Sequence, residues 1–388
     1  MGLENRDALR ALQFALESPA RSEAIMRTFY ATWFTIDDTV REKFAADLTH
    51  QRAAFAQALR WVLGEFAARR PEEPVAFLAQ LGRDHRKYDV SPQQYATLRR
   101  ALYTALRTEL PDHWSDAVDD AAVDAITLMA GVMSSAAAAD KAPAWWQGTV
   151  LEHQRVSRDL AIVRLQLDQP LPYHPGQYVS VDVPRCPRRW RYLSPAMPSD
   201  TQGFIEFHVR AVPGGLVSPA IVGETRAGDL WRMSSPHGSL QVDRDGGDVL
   251  MVAGSTGLAP LRALIMDLTR FGENPRVHLF FGGRFPCELY DLRTLWDLTS
   301  CNPWLSVTPV SEFPADPPWA ADYPDVRPPR GLHVRQTGRL PEVVTGYGGW
   351  SDRQILICGR PEMVRATKTA LIAAGARPGS IQHDPLVT

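Results

Sequence analysis

Cysteine is scarce in this chain. Four occur in 388 residues, Cys186, Cys287, Cys301 and Cys358, and no two have CxxC spacing. That scatter excludes a disulfide framework and a cysteine zinc site, leaving reduced thiols as the default. An excess of charge of one sign is lacking too: 42 basic against 44 acidic residues leave a formal net charge of −2. Such a balance carries no electrostatic footprint for nucleic acid, and no basic run suggests a membrane surface, so neither partner is expected. Long hydrophobic runs are also missing. The longest uncharged apolar-rich stretch, residues 125–139, is short for a bilayer and contains Thr and Ser, so no integral membrane segment is expected. The opening MGLENRDALRAL lacks the basic start and apolar stretch of a signal peptide, and a cytoplasmic location is expected.

What is present changes character along the chain. At about 150 residues per domain, this length suggests two or three domains. Before DKAPAWWQGTV (140–150) the pattern is helical: Met26, Phe29, Tyr30 and Trp33 share one face, as do Gln51, Phe55, Ala58, Leu59 and Val62. After it come β-rich runs with Gly/Pro turns, such as LAIVRLQL and GQYVSVDVP, which predict an antiparallel barrel. From Gly247, strand-like DVLMVAG, VHLFFGG and QILICG alternate with helix-like LAPLRALIMDL and PEMVRATKTALIAAG, which predicts a doubly wound parallel sheet. The expected domains are an all-α domain at 1–143, a β-barrel at 147–245 and an α/β domain at 247–388. No internal repeat is visible, and the proline-rich stretch 313–329 reads as a surface loop.

One histidine stands out in the helical part. Phe77, Leu81 and His85 fall at i, i+4 and i+8, on one helix face. Ser91, Pro92 and Gln94 then read as an N-cap, a first helical position and a capping box. The helix they start carries Tyr95, Leu98, Leu102 and Leu106 on one face. His85 is on this evidence either a satisfied core histidine or a ligand. Tyr30 and Gln51 are further polar groups on apolar faces, and Phe44 lies between them. An all-α domain with an inward histidine and a few inward polar groups is what an enclosed haem requires.

TFYATWF, VREKF, QRAAFAQAL and DHRKYDVSPQQY together resemble the globin domain of the flavohaemoglobins, in which a proline and a tyrosine follow a histidine by seven and ten residues, as Pro92 and Tyr95 follow His85. The resemblance implies a haem b whose iron is held by His85. It implies that Tyr30 is the distal tyrosine donating to bound O2, Gln51 its partner, and Phe44 an aromatic wedge against the porphyrin, with Phe55 one turn beyond Gln51. The segment between Phe44 and Gln51 is shorter than the family's, so His50 with Ala54 is a competing register. Two departures stand out. Asp84 replaces the family's lysine before the histidine, and AITLMAGVMSSAAAAD offers no glutamate where the family pairs one with the proximal imidazole. A carboxylate partner makes an imidazole more basic, so its absence implies a softer proximal bond, a pattern resembling the divergent second class of the family.

The rest of the chain resembles the family's ferredoxin-reductase-like module. PGQYVSV, with Tyr178, precedes the flavin site. WRYLSPA stands where the family carries Arg-x-Tyr-Ser, so Arg191 would meet the FAD pyrophosphate and Ser194 the ring, with Leu193 in the tyrosine's place. Tyr192, one position early, would restore the stack through a local bulge. VPGGLVS supplies Gly214, Gly215 and Ser218 to a second phosphate contact. GSTGLAPL, with Gly254, Thr256 and Gly257, stands between strand and helix where a pyrophosphate is attracted. CGRPEM, with Cys358 and Gly359, resembles the signature that places a thiol beside the nicotinamide; each stretch taken singly also reads as an ordinary turn, and Cys358 as a small buried hydrophobe. Leu386 stands where a phenylalanine commonly covers the nicotinamide. Arg284 is a surface arginine within reach of a 2′-phosphate by position alone. The resemblance implies an oxidoreductase passing electrons from NAD(P)H through FAD to a haem, with O2, nitric oxide and other small haem ligands as partners and nitrate as product. A haem-based gas sensor with a vestigial reductase, and a flavin oxidoreductase using another donor with the globin as electron sink, are the alternatives.

Overall fold

The structure is a computed structural model describing residues 5–44, 47–320 and 331–384. Leu386 and most of the proline-rich loop lie outside the described residues. The chain divides into two compact units, Met1–Trp145 and Trp146–Thr388.

The first unit is helical: α1 (Arg6–Ala15), α2 (Pro19–Ile36), α3 (Thr49–Ala67), α4 (Glu72–His85), α5 (Pro92–Glu109) and α6 (Asp116–Ala139). Local chemistry sets their starts. Ser18 caps α2 with Pro19 in its first turn, Ser115 caps α6, and Ser91 with Gln94 forms the expected capping box on α5. Short 3-10 turns follow α2 (Asp38–Lys43) and α4 (Arg86–Tyr88), the second stopped by Asp89 at φ 54°. The core is built from Leu9 and Leu12, Ile25, Met26 and Phe29, Leu59 and Phe66, Leu102 and Leu106, and Ala125 and Ile126.

Burial sorts the apolar residues of α6 and α4. By length and composition α6 is apolar enough to cross a membrane, yet Val118, Ala121, Ala122, Ala125, Ile126 and Met129 are buried in the helical core, so its apolarity is that of a core helix. On α4, the fully buried stripe is Pro74, Leu78 and Gly82. Phe77 is instead 38% exposed and lies edge-on to Trp61, 5.4 Å between centroids. The cause is Gly82, where a Cβ would sit 2.2 Å from the Met133 carbonyl oxygen. Backbone meets backbone where α4 crosses α6, and this turns the Phe77 stripe aside.

The second unit opens with six strands, β1 (Trp146–Ser157), β2 (Leu160–Leu167), β3 (Val179–Asp182), β4 (Arg191–Leu193), β5 (Phe204–Arg210) and β6 (Leu230–Met233), and one helix, α7 (Val217–Glu224). They form an antiparallel sheet in the order β4-β3-β6-β1-β2-β5, and a bridge between Pro195 and Phe207 brings its two edges together into a nearly closed barrel. Alternation sends Ala161, Val163 and Leu165 of β2, and Ile205, Phe207 and Val209 of β5, into one core.

The remainder alternates strand and helix: β7 (Val249–Gly254), α8 (Leu258–Leu268), β8 (Val277–Gly283), α9 (Leu292–Cys301), β9 (Leu305–Ser311), β10 (Gln336–Thr337), α10 (Leu340–Gly346), β11 (Gln354–Cys358), α11 (Pro361–Ala373) and β12 (Ile381–Gln382). The strands pair in parallel in the order β10-β9-β8-β7-β11-β12. Apolar clusters lie on both faces, which is why β7 reads as a continuous rather than an alternating apolar run.

Candidate functional site

The helical unit gathers its sequence-predicted residues into two groups. Tyr30 on α2 is 4% exposed. Its ring lies edge-on to Phe29 at 4.8 Å and to Phe44 at 5.4 Å, and Phe55 packs on Phe29 at 5.1 Å. Trp33, expected on the same helix face, and Phe34, which the sequence did not single out, complete this cage against Phe44. Burial pushes the Tyr30 hydroxyl well above the usual phenol range even though the Gln51 side chain hydrogen-bonds to it, so it stays a donor at any working pH. The Gln51 side chain thus meets the Tyr30 hydroxyl, although Gln51, like His50 and Ala54 of the same helix, α3, is exposed.

The second group lies at the end of α4 and the start of α5. His85 Nδ1 is 2.6 Å from the Leu81 carbonyl oxygen one turn back, which leaves Nε2 to ligate. Burial lowers the imidazole's pKa, opposed by that hydrogen bond and by Asp84; the neutral ring is the form that binds a metal. Tyr95 is 4% exposed, its hydroxyl has no hydrogen-bond partner among the described residues, and burial pushes its pKa up to about 12. The two groups are tied together. Lys43 Nζ donates to the carbonyl oxygens of Tyr88 and Asp89 at 3.0 and 2.7 Å, Gln94 Nε2 donates to Thr39 Oγ1 at 3.2 Å, and Trp33 Nε1 donates to Thr97 Oγ1 at 3.0 Å. A single neutral nitrogen beside an aromatic cage suits iron already held by a porphyrin. No group of three or more His, Cys, Asp or Glu fit to hold a bare ion occurs among the described residues.

In the second unit the flavin-type residues are only partly where the motif suggests. Leu193 pairs with Val179 across β3 and β4 and packs, half-buried, on the barrel core. Tyr192 faces the other way, 53% exposed, edge-on to Tyr178 at 5.0 Å and near His237 at 6.2 Å. No bulge is needed: β4 presents Tyr192 on the outer face because Leu193 is drawn into the core. Arg191 is exposed and donates from Nη1 to the Trp190 carbonyl oxygen at 2.8 Å, and Ser194 is half-buried just past β4. Gly214 (φ +76°) and Gly215 form a loop closed by Ser218, whose hydroxyl accepts from the Val212 N–H at 3.1 Å at the start of α7. An aromatic face and a glycine loop leading into a helix suit an isoalloxazine and a phosphate respectively.

The two glycine loops of the parallel sheet do come together. Ala253 and Cys358 are register partners on β7 and β11, and a Cβ on Gly257 would lie 2.3 Å from the Cys358 carbonyl oxygen. Thr256 is half-buried between them, Ser255 holds φ +54°, and its buried hydroxyl finds no hydrogen-bond partner among the described residues. An orphaned hydroxyl at the mouth of α8 fits a polar ligand such as a dinucleotide. Cys358 is 6% exposed, and burial, with Asp384 nearby, holds its thiol protonated. Asp384 was not foreseen. It lies against Gly238 beside Tyr178, and burial pushes its pKa up to about 6, so it links the flavin-side aromatics to Cys358. Gly359 follows Cys358. Arg284 stacks over Phe285 and Phe313 at 5.4 and 5.7 Å.

Three family models match the chain in succession: Globin over residues 27–133, an oxidoreductase FAD-binding domain over 147–242 and an oxidoreductase NAD-binding domain over 251–369. The chain is a globin joined to an FAD- and NAD-binding oxidoreductase module, the domain architecture of the flavohaemoglobins. A flavohaemoglobin from Malassezia yamatoensis solved with FAD and haem shares its whole architecture, covering 100% of both chains with a TM-score of 0.72 at 16% identity. The second unit is similar to the ferredoxin–NAD(P)+ reductase component of a naphthalene 1,2-dioxygenase/salicylate 5-hydroxylase system from Ralstonia, 34% identical over 61% of this chain and 68% of the relative. It is also similar to the reductase subunit of an aromatic O-demethylase from Amycolatopsis, 32% identical over 61% and 67%. The chain is thus an oxidoreductase with a globin, an FAD-binding and an NAD-binding domain.

Proposed function

We propose that the chain is an NAD(P)H-dependent nitric oxide dioxygenase, with a globin domain at 1–143, an FAD domain at 147–245 and a nicotinamide domain at 247–388, working in the cytoplasm. The observation that carries the reading is the buried Tyr30 hydroxyl, kept protonated by its surroundings and hydrogen-bonded to Gln51. Haem and FAD, when bound, supply the oxygen chemistry and the conversion of a two-electron donor into one-electron steps. Everything else falls to this chain's side chains. His85 presents Nε2 because Nδ1 is engaged by Leu81. Tyr30 holds a buried, proton-bearing oxygen beside Gln51, a donor suited to a small ligand that gathers negative charge. Gln51 fixes that hydroxyl's direction. Tyr178 and Tyr192 offer an aromatic face, the Gly214–Ser218 loop offers amides to phosphate, and the Gly254–Gly257 turn with Cys358 and Gly359 receives the nicotinamide.

One NAD(P)H with two nitric oxide and two O2 would then yield two nitrate, one NAD(P)+ and one proton. The test is steady-state oxidation of NADH and of NADPH with and without nitric oxide, with nitrate counted against cofactor consumed. Stimulation by nitric oxide with two nitrates per cofactor is the expected result; oxidation indifferent to nitric oxide would sink the reading. A second reading, a reductase serving another acceptor, is favoured by the likeness of the second unit to aromatic-oxygenase reductase components. Slow haem reduction under anaerobic NADH and NADPH, beside fast reduction of an added acceptor, would favour it.

A further inference from the structure

β5 carries Glu206 and His208 on the face turned away from the barrel core, where alternation would hand them to solvent. They are instead 3% and 4% exposed, covered by α8 and by the segment that leads into α9. Arg262 of α8 donates from Nη1 to Glu206 Oε1 at 2.6 Å and lies 2.8 Å from His208 Nε2. His208 Nε2 is also 2.9 Å from Glu206 Oε1, while its Nδ1 is 2.8 Å from the Tyr290 hydroxyl. Asp291 flanks Arg262 at 3.5 Å, and Arg164 reaches in from the rim to Glu206 Oε2 at 2.5 Å. Burial disfavours the Glu206 charge, but His208, Arg262 and Arg164 outweigh it and keep the carboxylate ionised.

A buried ionic cluster of this kind is a poor source of net stability, because desolvation offsets most of its attraction; its best-attested use is to fix a register between elements. The elements joined here are specific. The Ala196 N–H donates to the Glu206 carbonyl oxygen at 2.8 Å and Pro195 bridges to Phe207, so Glu206 is bound to the stretch directly after Tyr192 and Ser194. Arg262 lies on the helix that begins at Leu258, directly after the Gly254–Gly257 turn. We propose that Glu206, His208 and Arg262 are positioning residues for hydride transfer, clamping the nicotinamide loop at a set distance from the flavin face. This rests on the reading of those two stretches as the flavin and nicotinamide sites. Misplacing a reacting pair by about 1 Å costs up to a hundredfold in rate, so a clamp at this point acts on the limiting rate and spares binding.

The test is Glu206→Gln in the full-length chain, which keeps the side chain's shape and removes its charge. We expect unchanged FAD content and unchanged half-saturation by NADH. Anaerobic flavin reduction should be at least tenfold slower, and amide hydrogen exchange at residues 196–197 and 255–258 at least tenfold faster, even without nucleotide. Tyr290→Phe, which deletes one hydroxyl, should slow flavin reduction two- to fivefold, and it decides the matter alone if the glutamine variant fails to fold or to hold FAD. An unchanged limiting rate, or a changed half-saturation at unchanged limiting rate, overturns the proposal. If the wild-type flavin is reduced by neither NADH nor NADPH, the functional reading itself has failed, and the exchange measurement still decides whether the cluster clamps the two segments.

Discussion

The two units hold their functional groups by opposite means. In the helical unit the candidates sit within or at the ends of helices and are fixed by side chains: Tyr30 by an aromatic cage and Gln51, His85 by a carbonyl one turn back. In the β-rich unit they sit at strand ends and turns and are fixed by backbone: Gly257 against the Cys358 carbonyl, Gly214 in a left-handed turn, Ala196 hydrogen-bonded to Glu206. A side-chain scaffold is damaged locally by a local change, whereas a backbone scaffold transmits the change to everything on the loop.

The largest effect that would break this comparison is loss of the haem ligand. His85→Ala should abolish haem binding, or make it depend on added imidazole, with flavin content unchanged, as absorbance spectra of the purified protein would show. A variant with wild-type haem content would refute the ligand assignment. Next comes Gly257→Ala. A methyl group 2.3 Å from the Cys358 carbonyl oxygen has nowhere to go, and overpacking typically costs 1–3 kcal/mol. Flavin reduction by NADH should fall more than tenfold and thermal unfolding of the β-rich unit should come earlier, with the haem spectrum unaltered; equal damage to both units would erase the contrast. Tyr30→Phe removes one charge-assisted hydrogen bond of roughly 1.5–3 kcal/mol, so O2 release after flash photolysis should quicken by about ten- to a hundredfold. An unchanged release rate would transfer the role to Gln51 or His50. The smallest effect concerns β4. Tyr192→Ala should weaken FAD binding by about two- to tenfold through lost stacking, while Leu193→Tyr should lower the barrel's stability rather than tighten FAD. Tighter FAD binding by Leu193→Tyr would return the flavin face to position 193.

Much of this was legible from residue patterns because the relevant interactions are short-range. The Ser91–Gln94 capping box, the buried face of α2 and the apolar run of β7 each follow from neighbours in sequence. The misjudged positions are those where a distant element decides. Phe77 leaves the buried stripe because α6 crosses at Gly82, and Leu193 turns inward because Val179 and the barrel core receive it. Glu206 and His208 read as the solvent half of an alternating strand, and nothing local to IEFHVR announces that α8 will cover them. Asp384 gave no signal either, since its carboxylate matters only through Tyr178, Gly238 and Cys358, far away in the chain.

The notch at Gly82 has a mechanical consequence. The Met133 carbonyl fills the place where a side chain would stand, so α4 cannot slide along α6 without its backbone climbing over another backbone. A gas sensor needs an element with two comparable packings, so that a small displacement at the ligand is amplified into a shift. Gly82 instead seats the helix bearing His85 backbone to backbone on α6. Such a mount damps motion of whatever the histidine holds. It suits a centre that must accept electrons repeatedly and return each time to the same geometry, rather than one that must signal by moving.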